Sequence, residues 1–205
     1  MQYQKLPEPE ILRETVDNLT AKNYQVITVE NKEQALEKIR ALIPAKASVM
    51  NGSSVTLEEI GYIEYLKSGK HPWNNLHAAI VAEKDPDKQA MLRQQGLHSN
   101  YYLGSVHALL KNGEFIVASN TGSQLPHISF TSPNLVFVVG TQKIVNSFEE
   151  GMERLEKYVV PLEDTHMQEK YGVHTCLSKV LYFRQKSPAL NRSVTFILVN
   201  EKLGF

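Results

Sequence analysis

The chain has 205 residues, 42% hydrophobic and 21% charged, with 22 Lys+Arg against 22 Asp+Glu and a formal net charge of zero. These proportions exclude a disordered polymer and suit one domain with a sizeable core. The charge balance removes the electrostatic footprint of a nucleic-acid binder, and a lone cysteine, Cys176, excludes an internal disulfide and a cysteine-built metal or cluster site.

In chain order, residues 1–9 are polar and read as a loose N-terminal segment without a signal-peptide core. Leu12, Val16 and Leu19 fall at helical spacing, and Tyr24 to Val29 is short and rich in β-branched residues, a strand. Asn31 with Gln34 opens a capped helix whose stripe is Ala35, Leu36, Ile39, Leu42 and Ile43, with Pro44 as its stop. A strand over Ala47 to Met50 follows. Thr56 with Glu59 then predicts a capped helix running to about Gly69, and Asp85-Pro86 predicts another running to about Gly96.

Beyond residue 100 the runs shorten. Ala108-Leu109-Leu110 and Phe115 to Ala118 flank Lys111-Asn112-Gly113-Glu114, whose Asn-Gly pair predicts a hairpin turn. Leu135 to Val139 is apolar at consecutive positions, as a central strand covered on both faces requires. Its five residues are far too few to span a bilayer. Ser147 with Glu150 caps a helix that Pro161 is expected to end, residues 162–192 read as an irregular excursion, and Thr195 to Val199 is a late strand. No repeat or composition break divides the chain, so residues 1–205 read as a single cytoplasmic domain. The expected fold class is α/β: a three-layer, Rossmann-like α/β/α arrangement with a mostly parallel sheet and a β-hairpin.

Ligands of open α/β sheets sit beyond the carboxyl ends of the strands. Two segments meet that description. Asn51, Gly52, Ser53 and Ser54 lie between a strand and a helix start, where small residues admit an anion to backbone N–H groups. Asn120, Thr121, Gly122, Ser123 and Gln124 gather hydroxyls and amides after the hairpin's second strand. An ordinary capped loop and an ordinary Asn-Gly turn explain the same residues, so both readings stay open. Lys143, just past the apolar strand, is placed to neutralise a ligand's charge, although most lysines are simply solvated. His127 follows the second loop and is a candidate proton carrier on the same pocket. His174 near Cys176 has no sequence-level reason to be a catalytic pair. Glu58-Glu59 and Glu149-Glu150 are explained by helix first turns, and no metal-ligand spacing, Walker loop, dinucleotide fingerprint or nucleophile elbow occurs.

The order of segments resembles the LUD, or lactate-utilisation, domain family. The resemblance rests on Gly52-Ser53-Ser54-Val55-Thr56-Leu57-Glu58-Glu59-Ile60-Gly61 and on Tyr102-Leu103-Gly104-Ser105-Val106-His107-Ala108. It continues through Gly113, Thr121-Gly122-Ser123, the run from Leu135 to Val145, and the ending Phe196 to Phe205. It implies a fold akin to ribose-phosphate isomerases and CoA transferases, whose post-strand loops hold phosphate, carboxylate or CoA. By that resemblance Gly104 and Ser105 join the two loops, His127 and Lys143 as candidate anion-binding residues.

The family association implies a non-redox subunit or accessory protein of a lactate-to-pyruvate oxidation system. Iron–sulfur clusters would then belong to partner oxidoreductase subunits, because this chain has only Cys176 where some relatives are cysteine-rich. No cofactor is expected on this chain itself, and self-association is expected from related folds. The alternative is a stand-alone enzyme or binding protein for a sugar phosphate, acyl-CoA or other small anionic metabolite.

Overall fold

The computed structural model of the protein describes residues 2–205; Met1, the first residue of the segment read as loose, lies outside them. Within that segment Gln2–Gln4 form one 3₁₀ turn, and the Tyr3 ring packs 5.6 Å from that of Tyr158.

The first half alternates helix and strand: α1 (Pro9–Ala21), β1 (Gln25–Val29), α2 (Lys32–Leu42), β2 (Ser48–Asn51), α3 (Val55–Glu59), α4 (Tyr62–Lys67), β3 (Asn74–Asn75), α5 (Leu76–Ala82) and α6 (Pro86–Gly96). The second half holds β4 (Tyr101–Gly104), β5 (Ala108–Leu110), β6 (Phe115–Ser119), β7 (Asn134–Gly140), β8 (Ile144–Val145), α7 (Phe148–Arg154), α8 (Val160–Tyr171), β9 (Lys179–Phe183) and β10 (Ser193–Val199).

Caps set several of these boundaries. Asn31 Oδ1 accepts from Gln34 N–H at 3.0 Å, Asp85 Oδ1 from Asp87 N–H at 3.0 Å, and Ser147 Oγ from Glu150 N–H at 3.2 Å. At α3 the cap is Ser54, whose Oγ accepts from Leu57 N–H at 3.3 Å, rather than Thr56. The helix expected to reach Gly69 breaks at Ile60 and Gly61 into two short pieces.

Six strands form a wholly parallel sheet in the order β1-β10-β7-β4-β2-β3. Helices flank it in a three-layer α/β/α arrangement. β7 alternates its side chains between two cores. Val136 and Val138 face Ala35, Ile39, Leu57 and Tyr62 on one side, while Leu135, Phe137 and Val139 face Leu19, Leu109 and Phe115 on the other.

The predicted hairpin forms, with Leu109 opposite Phe115, but it is not part of the parallel sheet. It nucleates a second sheet, β8-β5-β6-β9, packed on the first through Leu109, Phe115 and Val117. The outer face of this second sheet supplies Ala108, Leu110, Ile116 and Ala118 to a third cluster, with Leu155 and Val159.

Pro161 does not end the helix begun at Ser147. A π-helical turn, Leu155–Val159, carries α7 into α8, and Pro161 falls in the first turn of α8, where its missing N–H is tolerated. The stretch read as an irregular excursion therefore contains most of α8 and all of β9. No helix among the described residues is long and apolar enough to cross a membrane.

Candidate functional site

Because β2, β4 and β7 run parallel, the segments that follow them emerge at the same edge of the sheet. There Gly52, Ser53 and Ser54 meet Gly104 and Ser105, and Lys143 follows β7 in the 3₁₀ turn Thr141–Lys143. The hairpin's outgoing strand brings Asn120, Thr121, Ser123 and Gln124 to the same place, and α8 with the segment 175–177 closes the opposite wall. The result is a cleft of about 310 Å³, at the small end of metabolite sites.

Lys143 is the chemical centre of this cleft. Only 3% of the residue is exposed, yet its Nζ donates to two hydroxyls rather than to a carboxylate: Thr56 Oγ1 at 3.0 Å and Ser105 Oγ at 3.1 Å. Burial pushes its pKa down to about 7; the nearby Arg154 guanidinium adds to this and Glu59 opposes it.

Beneath lies Arg154, fully buried, donating through Nη1 to the His107 carbonyl, with no hydrogen-bond partner for its Nε and Nη2 among the described residues. Its charge centre sits 6.0 Å from the Tyr3 ring and 5.4 Å from that of Tyr158, and burial brings its pKa to about 10. His107 stays neutral: burial first, then Lys143 and Arg154, push its pKa down to about 3, and its Nδ1 accepts from Ala118 N–H at 3.0 Å. The floor thus concentrates positive charge in a low dielectric, which favours a bound anion. Glu163, the acidic side chain lining the cleft among the described residues, is made harder to ionise by its own burial.

The second loop is pre-shaped. Ser119 Oγ accepts from Gly122 N–H at 3.0 Å, Thr121 Oγ1 accepts from Ser123 N–H at 3.3 Å, and Gln124 Nε2 donates to the Ala118 carbonyl at 3.0 Å. Asn120 ties it to the opposite wall, donating to Thr175 Oγ1 at 3.2 Å and accepting from Cys176 Sγ at 3.6 Å. Gly52 lets the two loops touch: a Cβ there would lie 2.7 Å from the Tyr102 hydroxyl and 3.1 Å from Gln124 Oε1.

Three candidates lie apart from the cleft lining. Asn51, the last residue of β2, is buried beneath it and donates to the Gly52 carbonyl at 3.1 Å. Gly122 makes the turn itself and packs against the methylenes of Lys179. His127 is a buried neighbour rather than a wall: its ring stacks 4.6 Å from that of Tyr102, and its Nδ1 bonds Ser132 Oγ at 3.0 Å. Burial holds its pKa near 4, so it is neutral at ordinary pH.

Sequence reasoning passed over Thr56, His107, Glu163 and Phe205, all of which line the cleft. Thr56 carried a signal, its place in the first turn of the helix opened by the first loop, but was read as a cap. Nothing local marks Glu163 or Phe205, which reach the cleft through α8 and the C-terminal tail. His174 bonds Asp164 at 3.0 Å on the surface and makes no pair with Cys176. Among the described residues, no group of three or more His, Cys, Asp or Glu side chains is placed to hold a metal ion.

A family model described as the LUD domain matches residues 12–196 of this sequence. The structure is similar to a crystal structure of a DUF162 family protein from Deinococcus radiodurans, with a TM-score of 0.56 at 15% identity over 96% of this chain and 100% of that one. At that identity the likeness speaks for the fold alone. No curated protein matches the sequence.

Proposed function

Since the chain belongs to the LUD domain family, we propose that it serves lactate utilisation as a non-redox subunit or accessory protein of a lactate-to-pyruvate oxidation system, holding a small anion in the cleft above Lys143. One observation carries the binding part of this reading: a buried lysine, bonded by two hydroxyls and by no carboxylate, at the floor of a cleft walled by small polar loops.

An ammonium group without a counter-ion is costly to bury, and an incoming anion offsets that cost. Thr56 and Ser105 accept the lysine's hydrogens, so their own O–H groups are free to turn towards the ligand. Their present acceptors, the carbonyls of Leu203 and Val106, lie at the long distances of 3.5 and 3.4 Å. Electron transfer in this reading belongs to partner subunits that carry iron–sulfur clusters, and the anion-loaded chain docks with them.

A thermal-shift series with lactate, pyruvate, phosphate, a sugar phosphate and a CoA ester tests the binding part. Small carboxylates should raise the melting temperature, and Lys143→Met should abolish the rise. A flat response to every compound overturns the anion site, while a response confined to the sugar phosphate or the CoA ester moves the protein to a stand-alone role on those metabolites. For the partner part, normal growth on lactate after deletion of the gene, with no co-purifying iron–sulfur protein, would refute it.

A further inference from the structure

We propose that Lys143 is a nucleophile, condensing with the carbonyl carbon of a small 2-oxo acid to form an imine at the floor of the cleft. The idea rests on the anion site proposed above and assigns it a class of ligand and a chemical step.

The geometry is that of an amine held ready to react. Two of the three tetrahedral positions on Nζ are taken by hydroxyls, Thr56 Oγ1 at 3.0 Å and Ser105 Oγ at 3.1 Å. Both acceptors bind N–H hydrogens, so a neutral amine spends its two hydrogens on them and keeps its lone pair unengaged. Among the described residues no acidic group forms an ion pair with Nζ, so nothing locks the nitrogen as ammonium. Burial and Arg154 disfavour the charged lysine; Glu59 opposes them without pairing with Nζ, its carboxylate accepting from Gly204 N–H at 2.6 Å instead, and burial disfavours ionisation of Glu163. His107 is neutral and carries no charge to the site. A lysine desolvated beside another cation is the usual recipe for a nucleophilic amine near neutral pH.

The ligand class follows from what surrounds the amine. A nucleophilic amine needs an electrophilic carbonyl, and the cationic floor with its hydroxyl and amide walls selects an adjoining carboxylate. A cleft of about 310 Å³ limits the molecule to a small one.

The step balances without a co-reactant. The nitrogen lone pair forms the N–C bond while the carbonyl π pair moves to oxygen, which takes up a proton. That oxygen then departs as water with both hydrogens of the amine, leaving C=N. Glu163, whose burial disfavours its ionised form, is the acidic side chain of the cleft lining suited to pass a proton between the nitrogen and the departing oxygen. In its protonated form the imine retains the positive charge that holds the carboxylate.

Incubating the protein with pyruvate and cyanoborohydride, then mapping peptides by mass spectrometry, tests the proposal. One reduced adduct per chain is expected, on the peptide containing Lys143, forming several-fold faster at pH 8 than at pH 6. Lactate, which has the carboxylate but no carbonyl, should give no adduct and in excess should suppress the one from pyruvate. Lys143→Arg should lose the adduct, and lactate protection of the unaltered protein gives the same answer if that variant fails to fold. Absence of an adduct, or labelling spread over surface lysines with no preference for Lys143, overturns the proposal. A lactate-induced thermal shift without an adduct sinks the imine alone; neither shift nor adduct sinks the anion site as well.

Discussion

Lys143 is tolerated in the interior against its own desolvation, so a side chain of similar length without charge should suit the empty protein better. Lys143→Met is expected to raise the melting temperature of the ligand-free chain, by about 2–4 °C for each kcal/mol of relieved burial cost, while removing the response to carboxylates. A calorimetric scan with and without lactate reads both effects; a destabilised ligand-free variant would contradict the first. The pH dependence has a definite sign. The folded state favours neutral Lys143, so between about 7 and its ordinary value the unfolded chain binds more protons, and stability climbs with pH. His107 and His127, lowered to about 3 and about 4, act in the same sense at lower pH: stability present above the ordinary histidine value is lost as pH falls towards those numbers. Unfolding temperature measured from pH 4 to pH 9, below the range where the buried tyrosines act in the opposite sense, should rise throughout, and the part above pH 7 should vanish in Lys143→Met. Position alone made Lys143 legible, because a polar residue just past a buried parallel strand has few places to go. His127 deceived because adjacency along the chain is no guide to direction: Tyr102 stacks on it from the core side. His107 has no local mark, since its burial depends on Arg154, 47 residues away.

At the scale of elements, caps were the most readable signals, since Asn31, Asp85 and Ser147 satisfy donors within four residues of themselves. Ser54 does the same work at α3, so Ser54→Ala should cost about 1 kcal/mol and also slacken the first loop of the cleft, measurable as a lower urea midpoint. The hairpin was legible through Gly113, whose φ of +81° few other residues adopt and where a Cβ would lie 2.9 Å from the Asn18 carbonyl carbon. Gly113→Ala should therefore destabilise the chain by roughly 1–3 kcal/mol, with a fall in urea midpoint larger than that from Ser54→Ala. What local pattern missed was continuity and partnership. Pro161 looks like a terminator, but the π turn before it shifts the hydrogen-bond register into which the ring fits. β9 has exposed positions on both faces and reads as polar loop; only its ladder with β6 makes it a strand.

On the scale of the molecule, the layered α/β plan could be read from alternating periodicities, whereas strand order could not. β10, last in the chain, inserts between β1 and β7, a pairing set by how two hydrophobic faces close and not by any neighbouring residue. The second sheet was hidden for the same reason, because it joins the hairpin to two strands, β8 and β9, from separate parts of the chain. Slowest amide exchange is expected in β7 and β10, whose interior positions are buried on both faces, and fastest in the exposed segment between β9 and β10; hydrogen-exchange mass spectrometry checks this gradient.

The cleft draws its lining from positions as far apart as Gly52 and Phe205, so no fragment of the fold contains it. A ligand that fits it therefore recognises only the completed topology, and each molecule bound subtracts from the pool able to unfold. Such a ligand would act as a folding aid as well as a cargo: supplied during expression, it should restore soluble yield to a chain weakened far from the cleft, as by Gly113→Ala. Abundance of the protein in the cell would then follow the concentration of its own metabolite, through survival of the folded chain and not through its synthesis.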